Sequence, residues 1–166
     1  MLSGLINKKT AAIAAIVFSC LVVQPSKAAQ WAAPEPASAY SIPTAQLMQA
    51  DELNHLLHAP GVEKPLILQV GSHMMFAQAH IPGSVYAGPG SQAEGMQQLR
   101  GRVASVPHNR FIVIYCGCCP WNHCPNVGPA YNLLHQLGFT RVKVLYLANN
   151  FGADWAGKGY PVETGQ

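Results

Sequence analysis

Residues 111–126 have the sequence Phe-Ile-Val-Ile-Tyr-Cys-Gly-Cys-Cys-Pro-Trp-Asn-His-Cys-Pro-Asn. The first five residues are apolar, β-branched or aromatic, which predicts a buried strand. Four of the five cysteines of the chain lie directly after it: Cys116, Cys118, Cys119 and Cys124. Ligands of open α/β sheets bind at the carboxyl ends of the strands. The sequence therefore predicts a functional site in the loop that follows this strand.

Apolar runs and helical patterns alternate on both sides of this strand. Pro65 to Val70 is a near-continuous apolar run, as in buried parallel strands, and Val142 to Leu147 alternates as a strand does. Helical spacing of apolar residues marks 51–57, 96–106 and 127–137. Shorter segments complete the series: an edge strand at 46–48, a helical segment at 74–79, a strand that ends at Tyr86 and a last short helix at 151–158. This alternation predicts an α/β fold, a mostly parallel central sheet with helices on both faces.

The first 28 residues have the three-part pattern of a secretory signal peptide. Lys8 and Lys9 precede an apolar run that ends at Val23, too short for the roughly 20 residues of a membrane-spanning helix. We expect residues 1–28, with Cys20, to be removed, residues 29–44 to form an Ala/Pro-rich linker and residues 45–166 to form one domain. The expected location is the periplasm or the extracellular space, where disulfides persist.

The charge balance argues against nucleic-acid and membrane partners. The formal net charge is +3, and Lys8, Lys9 and Lys27 of the predicted signal peptide account for the excess. The rest of the chain is balanced and has no cluster of basic residues. We expect no nucleic-acid partner, and no membrane partner after cleavage.

Five stretches resemble the rhodanese-like family. Residues 79–84, Ala-His-Ile-Pro-Gly-Ser, are similar to its Gly-His-Ile-Pro-Gly-Ala signature. Ile112 to Cys116 is similar to the strand that ends in Tyr-Cys, where the family has its nucleophilic cysteine. The other similar stretches are 48–53, 66–71 and a carboxyl-terminal series made of 133–139, 144–145, 151–155 and 159–162. Together they span about residues 45–163, so the resemblance implies the rhodanese-like fold for nearly the whole predicted domain.

The activity that this resemblance implies is sulfur transfer. A sulfurtransferase of this family takes a sulfane sulfur from a donor onto its cysteine as a persulfide, and passes it to a thiophilic acceptor without a cofactor. Carried over to this chain, the nucleophile is Cys116, and the expected acceptor is a small thiol or a periplasmic protein. A position before a helix amino terminus agrees with this role, because backbone N–H groups and the helix dipole there favour a thiolate and an anionic persulfide.

Several positions depart from the family pattern, and three of them concern the binding of an anionic donor. The Asp and Arg that the family has on its second strand are Gln69 and Gly71, and Asn126 stands where the active-site loop usually has an Arg. No Arg or Lys occurs between Arg110 and Arg141. An arginine that would bind an anionic donor in a bidentate manner is thus missing. This argues against ordinary thiosulfate chemistry and against the related phosphatase and arsenate-reductase activities.

The other loop cysteines permit three functions. One of Cys118, Cys119 and Cys124 resolves a persulfide or disulfide on Cys116, and the C-x-x-C spacing of residues 116–119 suits a thiol–disulfide redox protein. Alternatively, the four thiols bind a soft metal, as in a copper carrier, or an iron–sulfur cluster, with His123 as a further ligand. In the third, a Cys119–Cys124 disulfide only fixes the loop. The spacing alone leaves these three open.

Three further residues of the loop are candidates for supporting roles. His123 is expected to act as an acid or base near neutral pH. Trp121 and Asn126 are expected to line a substrate pocket, although Trp121 would equally suit a docking surface for a partner protein. Asn126 is also expected to cap the helix that follows.

Overall fold

The computed structural model describes residues 42–165. The predicted signal peptide at 1–28, with Cys20, and residues 29–41 of the predicted linker lie outside the described residues, so both remain predictions. Within 42–165, no helix is long and apolar enough to cross a membrane.

Five parallel strands form one sheet in the order β1-β5-β4-β2-β3. Their bounds are β1 Leu47–Met48, β2 Leu66–Gln69, β3 Val85–Tyr86, β4 Ile112–Tyr115 and β5 Val142–Leu145. The central strand is β4, which pairs with both β2 and β5. All four of its residues are buried. This confirms the buried strand and the parallel sheet that the sequence predicts.

Within residues 42–165 there are five α-helices and three short 3-10 turns, and α1 to α4 connect successive strands. The helices are α1 Ala50–His58, α2 His73–Gln78, α3 Ala93–Val103, α4 Val127–Gln136 and α5 Phe151–Asp154, and the turns are Thr44–Gln46, Trp121–His123 and Ala156–Lys158. The predicted helix at 96–106 is shifted, because the chain leaves α3 after Val103 in a turn closed by the bond from Val106 N–H to Val103 O. Crossover helices are the connection that parallel strands require.

Alternation along β4 divides the core between the two faces of the sheet. Ile112 and Ile114 pack with α3 and α4, whereas Val113 and Tyr115 pack with α1 and α5. Cys116 continues the alternation and joins the α4 side. The sheet is thus covered on both faces, and the alternation places the side chain of Cys116 on the α4 side of the sheet.

Residues 79–84, the stretch similar to the family signature, pack against the neighbouring helix and the end of β4. The ring of His80 stacks on Phe76 at 3.9 Å, and its Nδ1 lies 2.8 Å from Phe76 O. Ile81 is buried, and its N–H donates to the hydroxyl of Tyr115 at 3.2 Å. This turn therefore anchors the side chain that directly precedes Cys116.

Candidate active site

The cysteine loop leaves β4 through a turn that depends on glycine. Gly117 has φ +78°, a left-handed conformation that other residues rarely adopt. A Cβ at Gly117 would also lie 2.9 Å from Cβ of Phe151. Phe151 N–H donates to Gly117 O at 2.9 Å. The turn therefore holds the loop against the start of α5 and directs Cys118 back towards Cys116.

A second set of contacts fixes the middle of the loop. Trp121 begins the 3-10 turn, and its N–H donates to Ala148 O at 3.1 Å. Its ring packs on Tyr146, with centroids 5.1 Å apart. The loop is thereby attached to the connection between β5 and α5, and it folds over the end of β4.

All four predicted cysteines meet at this point as free thiols. Cys116 Sγ lies 2.9 Å from Cys118 Sγ, and Cys118 Sγ lies 3.5 Å from Cys119 Sγ. The Sγ atoms of Cys116, Cys119 and Cys124 all lie within 4.8 Å of one another. Cys116 and Cys124 are buried, whereas Cys118 and Cys119 are half-buried.

Asn126 is buried and orients its amide towards the sulfurs. Its Oδ1 accepts from Ser91 N–H at 3.0 Å and from Ser91 Oγ at 2.8 Å. Because the oxygen is held by Ser91, Nδ2 must face the loop, where it donates to Cys116 Sγ at 3.2 Å and lies 3.9 Å from Cys118 Sγ. Asn126 is the N-cap residue of α4, as predicted, but its side chain makes no capping hydrogen bond. Instead it supplies a neutral donor to Cys116.

Cys124, and not Cys116, has its sulfur at the amino terminus of α4. Backbone N–H groups of Asn126 and Val127 donate to Cys124 Sγ, as the free N–H groups of a first helical turn do for an anion. The sequence placed Cys116 in this position, and that expectation was wrong. Cys116 Sγ accepts instead from Cys118 N–H and from the Asn126 amide.

The thiols differ in acidity because they hydrogen-bond to one another. Hydrogen bonding with Cys118 and with Cys124, which share the single S–H of Cys116, raises the pKa of Cys116, and burial raises it further. The bond from Cys116 lowers the pKa of Cys118 to about 6 and that of Cys124 to about 6. Burial and the bond to Cys118 raise the pKa of Cys119 to about 12. In the reduced loop Cys118 and Cys124 are thus more acidic than Cys116 and Cys119.

The carboxyl end of β2 closes the site from the other side. Buried Gln69 donates from Nε2 to Cys116 O at 3.0 Å and accepts from Gly71 N–H at 3.2 Å. A Cβ at Gly71 would lie 2.7 Å from Cys116 O and 3.0 Å from Cys116 Sγ. The residue types that replace the family's Asp and Arg therefore allow the two strand ends to approach closely.

A pocket of about 180 Å³ opens beside Cys116 and Gly117. No residue in its lining is charged, and the other side chains that define it are Gln69, Met75, Gln78, Ala79, Tyr115, Phe151 and Ala156. Arg110 and Arg141, which flank the loop in sequence, lie before β4 and β5 at the opposite end of the sheet. There they contact Glu63 at 2.6 Å and 3.0 Å. The pocket thus suits an uncharged or weakly polar ligand.

The predicted supporting residues occupy different places. Trp121 lines a separate cavity of about 10 Å³ together with Cys116, Cys119 and Cys124, a volume too small for a substrate. Neither Trp121 nor Asn126 lines the larger pocket. His123 is exposed, with Nδ1 2.8 Å from Asn122 Oδ1, and is not part of the group of close sulfurs.

Ser91 and Gln69 are site residues whose roles the sequence did not reveal. Ser91 lies in a loop of Gly, Pro, Ser and Gln residues, where a lone serine is no signal of chemistry. Gln69 stood out only as a departure from the family's Asp. Their roles depend on contacts with residues far along the chain, which no local pattern encodes.

Comparison with known proteins agrees with this architecture. Residues 49–148 match the family described as "Rhodanese-like domain". Since the match covers more than half of the chain, the protein belongs to the rhodanese-like domain family. Comparison with curated protein sequences gives no match. The resemblance and the fold predicted from the sequence are therefore confirmed.

Solved structures of the same fold are similar at low sequence identity. The rhodanese-like domain of the Alr3790 protein from Anabaena sp. is 25% identical, with a TM-score of 0.55, and the match covers 72% of this chain and 79% of that one. The BH2092 protein from Bacillus halodurans is 22% identical, with a TM-score of 0.55 and coverages of 70% and 75%. A persulfide form of EanB with ergothioneine is 18% identical, with a TM-score of 0.52 and coverages of 73% and 32%. The last two show the fold alone.

Proposed function

We propose that this protein is an exported sulfurtransferase that forms a persulfide on Cys116 and passes the sulfur to a thiol. One observation carries the proposal: Cys116, at the end of the central strand, lines a pocket, and its Sγ lies 2.9 Å from the Cys118 sulfur. The pocket provides access for a donor, and the neighbouring sulfur provides a partner for the proton. The persulfide form of EanB supports persulfide chemistry on a similar fold.

Formation of the persulfide needs a thiolate at Cys116. The hydrogen bond between the two sulfurs allows the proton of Cys116 to pass to Cys118 as attack begins. Cys116 then attacks the outer sulfur of a hydropersulfide R–S–SH, the S–S bond of the donor breaks, and R–S⁻ leaves with the electron pair. The product is Cys116–S–SH, beside the Asn126 amide that already donates to Cys116 Sγ.

The sulfur leaves by the same type of exchange. A thiolate acceptor attacks the outer sulfur, becomes the new persulfide and returns Cys116 as a thiolate. Alternatively, Cys118 attacks Cys116 Sγ, releases HS⁻ and leaves a Cys116–Cys118 disulfide. A dithiol protein or a small thiol must then reduce this disulfide. Cys118 is the resolving residue, because its sulfur is the nearest to Cys116 and is half-buried rather than buried.

The lining of the pocket selects the class of donor. Thiosulfate carries two negative charges, and its recognition in a buried site calls for a cation or several aligned donors. The pocket has no charged residue in its lining, and both arginines that flank the loop in sequence contact Glu63 instead. An alkyl hydropersulfide therefore fits this pocket better than thiosulfate.

The proposed location is the periplasm or the extracellular space. It rests on the signal-peptide pattern of residues 1–28. The partners follow from the location: a sulfur donor and a thiol acceptor there, the latter a small molecule or a protein. The near balance of charge in the rest of the chain supports the absence of a nucleic-acid partner.

Intact-mass spectrometry tests the proposal. The reduced protein is incubated with an alkyl hydropersulfide generated in the mixture, and in parallel with thiosulfate. Wild type should gain the mass of one sulfur atom from the hydropersulfide and little from thiosulfate. Cys116→Ser should gain none.

Cys118→Ser is the matched control because it removes the neighbouring thiol and leaves the nucleophile. It should form the persulfide more slowly than wild type, because the proton acceptor is gone, and retain it longer, because the resolving thiol is gone. Sulfur uptake by Cys116→Ser equal to that of wild type would contradict the proposal. Near-ultraviolet circular dichroism of each variant checks that the fold is intact.

A further inference from the structure

We propose that the loop also forms a three-coordinate site for Cu(I), with the Sγ atoms of Cys116, Cys119 and Cys124 as ligands. This inference does not rest on the proposed sulfur transfer, although the two uses share Cys116. Three sulfurs at about 2.3 Å from one ion lie about 4 Å apart. The three Sγ atoms already lie within 4.8 Å of one another, so they could bind one ion after only small side-chain movements.

A small cavity lies among the same three cysteines. Its volume is about 10 Å³, and its lining includes Cys116, Cys119 and Cys124. Cys118 does not line it. The cavity is an observation independent of the sulfur distances, and both select the same three residues.

The surroundings of the cavity favour a soft ion. The remaining lining residues are Gly117, Trp121, Val127, Leu145 and Leu147, none of which offers a carboxylate, imidazole or hydroxyl ligand. Hard cations such as Mg²⁺ and Ca²⁺ need several oxygen ligands, so they are excluded here. Thiolate ligands select Cu(I), zinc or iron–sulfur clusters.

Coordination number separates Cu(I) from zinc. Structural zinc sites use four ligands, whereas Cu(I) is stable with three thiolates. Cys118 Sγ lies 2.9 Å from Cys116 Sγ, which is closer than two ligands of one ion approach each other. His123 is exposed, and its ring nitrogens are not among the ligand atoms that lie within 4.8 Å of one another. The observed arrangement thus supplies three ligands and no fourth.

Fixed donors lie around the sulfurs to stabilise a site of net negative charge. Backbone N–H groups of Asn126 and Val127 donate to Cys124 Sγ, the Asn126 amide donates to Cys116 Sγ, and Cys118 N–H also donates to Cys116 Sγ. Such donors hold thiolate ligands in place and limit the cost of their burial. Each thiol that binds the ion releases its proton to solvent.

Anaerobic competition with a Cu(I) chelator tests the site. The reduced protein should retain about one Cu(I) per chain against bathocuproine disulfonate. Loss of a second-sphere partner typically weakens metal binding about 10–100-fold, so loss of a ligand in Cys119→Ser or Cys124→Ser should weaken it more than about 100-fold. The matched control Cys118→Ser removes a hydrogen-bond partner of Cys116 and not a ligand, so it should weaken binding by no more than about 10–100-fold. Copper lost equally in Cys118→Ser, or no retention by wild type, would overturn the proposal.

A second measurement uses wild type alone, in case a variant does not fold. The Cu(I)-loaded and the metal-free proteins are alkylated, and the cysteines are assigned by peptide mass spectrometry. Cu(I) should protect Cys116, Cys119 and Cys124 and leave Cys118 reactive. Protection of Cys118 equal to that of the other three would contradict the three-sulfur site. Tighter binding of Zn(II) than of Cu(I) would likewise contradict it.

Discussion

Asn126 defines the chemistry of the loop at the residue scale. The family usually has an arginine at the position that Asn126 takes, and an arginine would bring a charge and a bidentate fork for an anion. Asn126 brings one neutral N–H, held on Cys116 Sγ because Ser91 fixes the amide oxygen. Under the proposed function, this difference would let a loop without a cation stabilise a thiolate or persulfide and disfavour an anionic donor.

Asn126→Asp should impair Cys116 more than Asn126→Ala does. Ser91 would still fix one carboxylate oxygen, and the other would face Cys116 Sγ at the present 3.2 Å, where it repels a thiolate. A hydrogen bond to a charged group contributes about 1.5–3 kcal/mol, so Asn126→Ala should slow persulfide formation by about 10-fold or more. Stopped reactions followed by intact mass measure the rates.

Ser91→Ala is the control for this pair of variants. It keeps the amide and loosens only its orientation, so its rate should lie between those of wild type and Asn126→Ala. An Asn126→Asp variant as fast as wild type would show that the amide does not act on Cys116.

Gly71→Ala should destabilise the protein. The new Cβ would lie 2.7 Å from Cys116 O and 2.9 Å from Gln69 Nε2, so β2 and β4 would have to separate. Overpacking of this kind costs about 1–3 kcal/mol, and thermal unfolding should show a Tm lower by several degrees. Gly101→Ala is the matched control: nothing lies within 4 Å of its Cβ, and it is in α3, so it should leave stability unchanged or raise it.

The sequence predicted which residue types meet in the site, but not their individual environments. The four cysteines were placed in one loop because they follow one buried strand. That Cys124, and not Cys116, receives the first N–H groups of α4 depends on the three-dimensional path of the loop. Likewise, Ser91 contacts Asn126 across 35 positions of sequence, and no local pattern indicates such a pair.

At the element scale, the strands and helices were predictable and the loop was not. Apolar periodicity is a local property, and it located β2, β4 and β5 and the helices, with α3 shifted by a few residues. The path of residues 117–124 depends instead on contacts with a distant segment, from Tyr146 to Phe151. Local sequence therefore indicates that a loop is present and gives little about how it folds.

Trp121→Ala should loosen the cysteine loop. The half-buried indole packs on Tyr146 and walls the small cavity, so its removal should cost about 2 kcal/mol, less than a fully buried tryptophan. Trp121→Phe keeps an aromatic partner for Tyr146 and should retain most of the stability. Urea unfolding measures the stability of both variants, and hydrogen exchange at residues 117–124 shows whether the loss of stability lies in the loop. Equal stability of Trp121→Ala and wild type would contradict the packed loop.

At the scale of the whole molecule, the thiols and the two arginines that flank their loop in sequence lie at opposite ends of the sheet. The thiols cluster after β4, whereas Glu63 binds Arg110 and Arg141 before β4 and β5. Arg141 and Arg110 hold the pKa of Glu63 below its ordinary value of 4.5. A carboxylate whose pKa is lower in the folded state than in the unfolded state stabilises the folded state at pH values above its unfolded-state pKa. This contribution is lost as the pH falls through the folded-state pKa.

Glu63→Gln should therefore show a pH-dependent loss of stability. At neutral pH its Tm should be slightly lower than that of wild type, since the pairs are exposed and weak. The difference in Tm between Glu63→Gln and wild type should narrow as the pH falls below about 4.5, because Glu63 of wild type then becomes protonated and loses its charge. Thermal unfolding from pH 7 to pH 3 measures it. A difference that stays constant over this range would contradict the ionic contribution.

Locating the transferred sulfur by peptide mass spectrometry is the most direct test of the central claim. Cys118→Ser, which lacks the proposed resolving thiol, is treated briefly with an alkyl hydropersulfide, trapped by alkylation and digested. The account predicts the extra sulfur on Cys116, beside the pocket and the Asn126 amide. Extra sulfur on Cys119 or Cys124, with Cys116 unmodified, would show that the nucleophile is another thiol of the loop.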